Sequence, residues 1–538
     1  MRRQHPLRAK VACLMSRAII RVSSSTVKQG AQAGGRAQRP QSLLPSAKSP
    51  EIVRSRTYGD VDTLLVVMPE SAGRESLSGL PEGGRWQDLH AREKPRAGTV
   101  RSTSLANRRQ TLAVLGFLPE RASAFERLQL AGRMLKEAAG RSPESLGLGA
   151  IGAAATIKAG LDALLSASLA QAFALPSFKA SASPERRIRR IVLPADAELD
   201  LRHTRISAEG TNLARWLTAL PPNILDSRAY RRVLTQLARR HGLTMRWLGE
   251  EALRRAGASA FLAVARANES PVAGIAHLAY RPGRRARGSP DLALIGKGIL
   301  FDTGGVNLKT HRSMLDMHTD MAGSAVALST LIALAELRAP VSADAWLAIT
   351  ENHIGPRAYR PQEVVRAANG VSIQVVHTDA EGRMALADTL ALAARTRPRL
   401  MIDFGTLTGA CVYALTERMS GVFANRPGLA QRLIEAGRSS GERVWSFPFE
   451  EDFDTDLESK VADILQCAVE GKGDHILATR FLSRFVPREL PWAHVDLSSA
   501  TRTGGLGHIN TDITGFGVRF ALELILKQNV LKSLEDHA

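Results

Sequence analysis

Residues able to do chemistry are concentrated where apolar runs of this chain end. The stretch GKGILFDTGGVNLK carries Lys297, Asp302 and Lys309, and Asp320 follows just ahead of an apolar helical pattern. A second stretch, HTDAEGRMALAD, carries Asp379, Glu381 and Arg383. Positions two apart diverge on a helix, but in an extended segment or loop Asp379, Glu381 and Arg383 share a side. Gly382 lets the chain turn sharply before the helix that starts near Met384. Carboxylates held so close repel and raise one pKa unless a cation neutralises them. A divalent metal meets that need, and Asp302 and Asp320 add two more hard oxygen ligands. Four carboxylates balance two divalent ions, which leaves Lys309 and Arg383 as positive charge suited to an oxyanion or a bound anion. Ions about 3.5–4 Å apart can share a bridging water and clamp it together with a polarised carbonyl. A third exit, DFGTLTGA, is small and polar with no charged group after Asp403.

The elements that must position these groups are legible from hydrophobic patterning. Short apolar runs, LALIGKGILF, AWLAIT, IQVVHT, LMIDFGT and WAHVDL, alternate with amphipathic segments such as Met321 to Leu337 and Met384 to Arg395. Runs of that kind suit strands covered on both faces, so a catalytic α/β/α domain with a mostly parallel central sheet is expected. Such sheets bind ligands beyond the carboxyl ends of their strands. Upstream, VDTLLVVM, TLAVLGFL and RIVLPAD read as strands. Ala124 to Ala139 and Ile157 to Ala174 read as helices, and together these predict a smaller N-terminal α/β domain. Residues 81–110, rich in Gly, Arg and Glu, read as surface loop. A helix over Ala208 to Leu220 stops at Pro221-Pro222. The expected organisation is a basic leader over 1–57, the N-terminal domain over 58–200, a linker helix over 201–222 and the catalytic domain over 223–538.

Composition narrows the class. A chain of 538 residues, 44% hydrophobic and 23% charged, has ordinary globular usage, which excludes global disorder and fibrous repeats. No charge-free apolar stretch reaches the roughly 18–20 residues of a membrane span, so no membrane role is expected. Cys13, Cys411 and Cys467 lack CxxC spacing and point to a reducing, cytoplasmic setting rather than a disulfide scaffold. Ten of the 72 basic residues fall in residues 1–50, which hold no acid, so half of the net +20 sits there. That leader lacks the apolar content to fold, and its charge keeps a nucleic-acid contact open.

The strand exits also carry a resemblance. GKGILFDTGGVNLK, Asp320-Met321, HTDAEGR, ENHIGPRAYRP, TLTGAC, FLSRF and WAHVDL resemble motifs of the leucine aminopeptidase (cytosol aminopeptidase) family, over roughly Ser207 to Ile525. The resemblance implies a metal-dependent exopeptidase that removes the first residue of peptides or dipeptides, with Leu- or Met-type residues preferred. It implies two divalent ions per subunit, Mn²⁺ or Zn²⁺, sharing a water that attacks the peptide bond. Asp302 and Glu381 match bridging carboxylates, Lys297 and Asp320 ligands of one ion, and Asp379 a ligand of the other. A lysine ligand binds as the neutral amine, so metal and burial must lower its pKa from about 10.4. Lys309 matches the residue that polarises the scissile carbonyl, and Arg383 the residue that holds a bicarbonate acting as proton acceptor. Met317, Asp320, Thr406 and Gly409 match the substrate pocket, and a homohexamer is implied.

Departures from the family pattern mark a divergent branch. His377 stands where Asn is usual, Pro356-Arg357 and Gln362-Glu363 replace Gly-Gly and Gly-Asp, and His318-Thr319 precedes Asp320. They keep open a narrow dipeptidase of the Cys-Gly type. The basic excess keeps open a nucleic-acid role on the same scaffold.

Overall fold

The computed structural model describes residues 43–45, 49–58, 60–92, 94–180, 187–269, 272–283 and 288–534. Most of the basic leader, through residue 42, therefore lies outside the described residues. The first sheet is built from β1 (Glu51–Ser55), β2 (Thr63–Pro69), β3 (Val100–Ser104), β4 (Leu112–Leu118), β5 (Ser145–Ala150) and β6 (Arg190–Pro194). Its order is β1-β6-β5-β2-β4-β3, parallel throughout except for β3 against β4. The buried runs TLLVVMP and LAVLGFL supply its centre. Two expectations need correction here. Strand β1 falls inside the segment read as leader; its alternating, half-exposed EIVRS fits an edge strand and lacks a continuous apolar signal. Residues 81–110 are not all loop: a helix, Gly83–Arg92, buries Trp86, and β3 pairs its polar VRSTS with β4.

The second half provides β7 (Thr244–Leu248), β8 (Gly274–Tyr280), β9 (Leu292–Asp302), β10 (Ala343–Asn352), β11 (Val364–Arg366) and β12 (Ser372–Gln374). It continues with β13 (Leu400–Gly405), β14 (Ser420–Ala424), β15 (Val444–Ser446), β16 (Ile464–Leu465) and β17 (Trp492–Asp496). Eight of these form one sheet in the order β15-β14-β17-β13-β9-β10-β8-β7. Its four central strands run parallel, and antiparallel pairings begin on either side, at β14 and β8. IQVVHT, expected as a strand, is one only over Ser372–Gln374. The Val375 amide still donates to the Glu363 carbonyl at 2.8 Å, but those of Val376 and His377 donate to the Gln466 side chain at 3.0 Å each, so the chain there becomes loop.

Both faces of this sheet are covered. The helix Ala322–Leu337 is buried from Ala322 through Leu334, against Leu294, Leu347 and Phe404. By composition His311–Leu337 is apolar enough to cross a membrane, yet 83% of its most apolar window lies inside the protein. The helix Glu381–Ala394 covers the opposite face with Met384, Leu386 and Leu390, beside Ile295, Met401 and Trp492. Each large apolar side chain fully buried contributes about 1.5–3 kcal/mol. Helix Leu201–Thr218 packs on both Ala322–Leu337 and Ala154–Ala172, tying the two sheets into one unit, Leu43–Ala538.

Parallel pairing brings the central strand ends together. Asn352 of β10 pairs with Asp302 of β9, and Gly405 of β13 with Asp496 of β17. A Cβ at Gly323 would lie 2.1 Å from the Phe404 carbonyl oxygen, so only glycine lets this helix seat its first turn on the strands. That close approach sets Asp320, just before the helix, at the strand exits.

Candidate metal centre

Strand β9 delivers Lys297 from its middle and Asp302 from its end, both buried. Asp320 enters from the turn before helix Ala322–Leu337, while Glu381 and Arg383 sit in the first turn of helix Glu381–Ala394. Asp379 lies in the loop that Gln466 clamps, where the Gln466 amide also donates to the Ala380 carbonyl at 3.0 Å. Asp302, Asp379 and Glu381 each place a carboxylate oxygen within 4.8 Å of the others.

Two lysines tie the carboxylates into pairs. The Lys297 ammonium lies 2.8 Å from Asp320 Oδ1 and 3.1 Å from Glu381 Oε1, and donates to the Thr406 carbonyl at 2.9 Å. The Lys309 ammonium lies 2.9 Å from Asp302 Oδ2 and 2.5 Å from Asp379 Oδ1. Gly382 makes this possible, since a Cβ there would stand 2.4 Å from Lys297 Cε and 2.6 Å from its Nζ. Thr406 donates its hydroxyl to Asp320 Oδ1 at 2.6 Å and so joins the centre. Met317 opens the short turn Met317–Thr319, half-buried and three residues from Asp320. Gly409, exposed, starts the helix Gly409–Leu415 three residues beyond Thr406.

Electrostatics reflect the crowding. Burial, then the neighbouring Asp302, pushes the Glu381 carboxyl up to about 8 against the pull of the Lys297 ammonium. Burial also raises Asp320, to about 6, although Lys297 opposes it. Asp379 is raised by burial and by Asp302. Burial favours a neutral Lys297, but Asp320, Glu381 and Asp302 outweigh it and hold the ammonium above its ordinary range. The lowering expected of a lysine ligand therefore needs a metal to neutralise those carboxylates first.

The donor set fits divalent cations. Asp320 Oδ2 and Glu381 Oε2 are buried without a hydrogen-bond partner, acceptors that a cation would satisfy. Several supporting residues escaped the sequence reading. Asn352 donates to Asp302 Oδ1 at 2.8 Å and to the Thr378 carbonyl at 3.0 Å, and Tyr359 donates to that carbonyl at 2.8 Å. Asp474 pairs with Arg383 at 2.7 Å; burial would raise its carboxyl, but the guanidinium holds it below its ordinary range. Asn352 could have been found in ENHIGPRAYRP, where an amide follows an apolar run; Asp474 sits in no comparable pattern. His377 is exposed, and its Nδ1 accepts from the Asp379 amide at 3.2 Å. His494 is buried, 2.6 Å from Asp403.

Fold and site together define an α/β/α protein whose acidic centre, at the ends of parallel strands, suits divalent metal. A family model described as "Cytosol aminopeptidase family, catalytic domain" matches residues 212–522. The chain belongs to the cytosol aminopeptidase family. A probable cytosol aminopeptidase of Synechococcus sp. (strain JA-3-3Ab) is 41% identical over 339 residues, 62% of this chain and 65% of that protein. Another, from Synechococcus sp. (strain CC9605), is 34% identical over 483 residues, 88% of this chain and 95% of its own length. The matches to the first three relatives span 63–65% of those proteins, just under two thirds. Among solved structures, a mutant of tomato leucine aminopeptidase has a TM-score of 0.79 at 24% identity, covering 90% of this chain and 98% of that one. The bottromycin maturation enzyme BotP in complex with Mn has a TM-score of 0.74 at 27% identity, covering 87% and 99%.

Proposed function

We propose that this protein is a metal-dependent aminopeptidase that removes the first residue of peptides or dipeptides. The observation that carries this reading is the gathering of Lys297, Asp302, Lys309, Asp320, Asp379 and Glu381 at one set of strand exits, with Arg383 two residues beyond Glu381 and paired with Asp474. Asp302, Asp320, Asp379, Glu381 and the neutral amine of Lys297 would hold two divalent ions. The Mn-bound structural relative favours Mn²⁺ as the first ion to try. The ions would supply Lewis-acid polarisation and a water acidic enough to be a nucleophile at neutral pH.

The chain's own side chains divide the remaining work. Asp320 would accept a hydrogen bond from the substrate's free α-amine, which restricts cleavage to the chain end. Lys309 would donate to the scissile carbonyl oxygen and stabilise the negative charge that develops there. No carboxylate of the centre is free to act as general base, so Arg383 would hold a small oxyanion, bicarbonate by family likeness, to take the proton. Met317, Thr406 and Gly409 would line an apolar pocket for a Leu- or Met-type side chain. By the same likeness the enzyme would work in the cytosol as a homohexamer, and helix Leu201–Thr218 would link an N-terminal domain over 58–200 to the catalytic domain over 223–538.

The test is a Mn²⁺- or Zn²⁺-loaded preparation offered leucyl anilide and a panel of dipeptides. Release of the first residue is expected. A loaded protein that leaves every substrate intact contradicts the reading.

A further inference from the structure

The loop that follows β13 touches the centre through Thr406, whose carbonyl receives the Lys297 ammonium and whose hydroxyl reaches Asp320. Nothing within Thr406 itself fixes that double contact. The next two residues are held from behind. Asp496, at the end of β17 and 1% exposed, accepts from the Leu407 amide at 3.1 Å and the Thr408 amide at 3.4 Å through Oδ1. Its Oδ2 accepts the Thr408 hydroxyl at 2.6 Å. That hydroxyl in turn accepts from the Cys411 amide at 3.2 Å, capping helix Gly409–Leu415. The Leu497 amide donates to the Gly405 carbonyl at 2.8 Å, completing the clamp.

We infer that Asp496 is a positioning residue: it fixes the loop Thr406–Thr408 in the shape that aims Thr406 at Lys297 and Asp320, and thereby shapes one metal site and the pocket beside it. An ordinary turn-capping aspartate is exposed or only half-buried. Asp496 instead directs all three accepted hydrogen bonds at one short loop from a buried position, and forms no ion pair among the described residues. A buried carboxylate is unfavourable unless its hydrogen bonds are well made. Asparagine can repeat most of the pattern, because its oxygen still accepts the two amides and its nitrogen can donate to the Thr408 hydroxyl. Alanine cannot repeat any of it.

The inference rests on the aminopeptidase reading for its kinetic arm only. The direct arm is Mn²⁺ affinity of the metal-stripped full chain, measured by calorimetry for wild type, Asp496→Ala, Asp496→Asn, Thr408→Val and Thr408→Ser. Loss of a supporting hydrogen bond typically weakens metal affinity or activity about 10–100-fold. Asp496→Ala is expected to weaken the tighter Mn²⁺ site about tenfold and to raise KM more than it lowers kcat. Asp496→Asn and Thr408→Ser should return close to wild type, and Thr408→Val should lie between. Should Asp496→Ala not fold, the Thr408→Val and Thr408→Ser pair decides alone. Folded variants with wild-type Mn²⁺ affinity overturn the inference, as does an Asp496→Asn as impaired as the alanine. A wild type that binds Mn²⁺ yet cleaves nothing overturns the aminopeptidase reading, while the affinity series still decides the role of Asp496.

Discussion

Lys297 and Lys309 hold the carboxylates of the centre in two pairs, Asp320 with Glu381 and Asp302 with Asp379. The arrangement tolerates little displacement. Gly382→Ala would drive a methyl group into the Lys297 side chain, 2.4 Å from Cε. Misplacing a reacting group by about 1 Å costs on the order of a hundredfold in rate. That loss in kcat/KM, with an unchanged circular-dichroism spectrum, is expected of the variant; near-wild-type turnover would show that Lys297 has no demanding position. The ionic residues could be read from sequence because charges at the ends of apolar runs stand out against their surroundings. Their supports could not. Asn352, Gln466 and Asp496 are ordinary types in ordinary places, and only tertiary burial reveals that their polar atoms converge on the loops around Asp302, Asp379 and Thr406.

At the scale of elements, β2, β4, β6, β9, β10, β13, β17 and the covering helices are legible because continuous apolar runs and helical spacing have few alternative explanations. The buried strands β5 (SLGLGA), β8 (GIAHLAY) and β14 (SGVFA) are short or broken by Gly and His and give no such run. The helix Ala124–Ala139 follows its expected bounds, and a capping box between Ser123 and Glu126 marks its start. Strands β1 and β3, at the two edges of the first sheet, need no continuous apolar run and carry none. The run IQVVHT does not continue as a strand because, from Val376 on, its amides turn to the Gln466 side chain. The helix Ala322–Leu337 is the element on which the site depends most. Leu328, fully buried within it, is expected to lose about 2–5 kcal/mol of stability on replacement by alanine, read as a lowered melting temperature. A melting temperature within error of wild type would show that the helix is less tightly packed than described.

At the scale of the whole molecule, stability should respond to acid through His508. This residue lies in the long loop before the last helices, buried with its Cα 3.0 Å from where a Gly132 Cβ would stand. Burial first, then the Arg519 and Arg215 guanidinium groups, pushes its pKa down to about 3, against a weaker opposing pull from Asp162. The unfolded chain takes up a proton near pH 6.5 whereas the folded protein does not, so stability is full above that pH and falls below it. The loss from this one group is on the order of 1 kcal/mol per pH unit between about 6.5 and its folded-state value of about 3. Melting temperatures between pH 7 and pH 5 should fall more steeply for wild type than for His508→Gln; parallel curves would contradict the assignment. The most direct test of the account as a whole is the divalent-metal content of dialysed wild type and of Glu381→Gln, measured with Mn²⁺ supplied. Two ions per chain are predicted for wild type and at most one for the variant, with its fold intact. A wild type that holds no divalent ion, or a variant that holds the same complement, would contradict it.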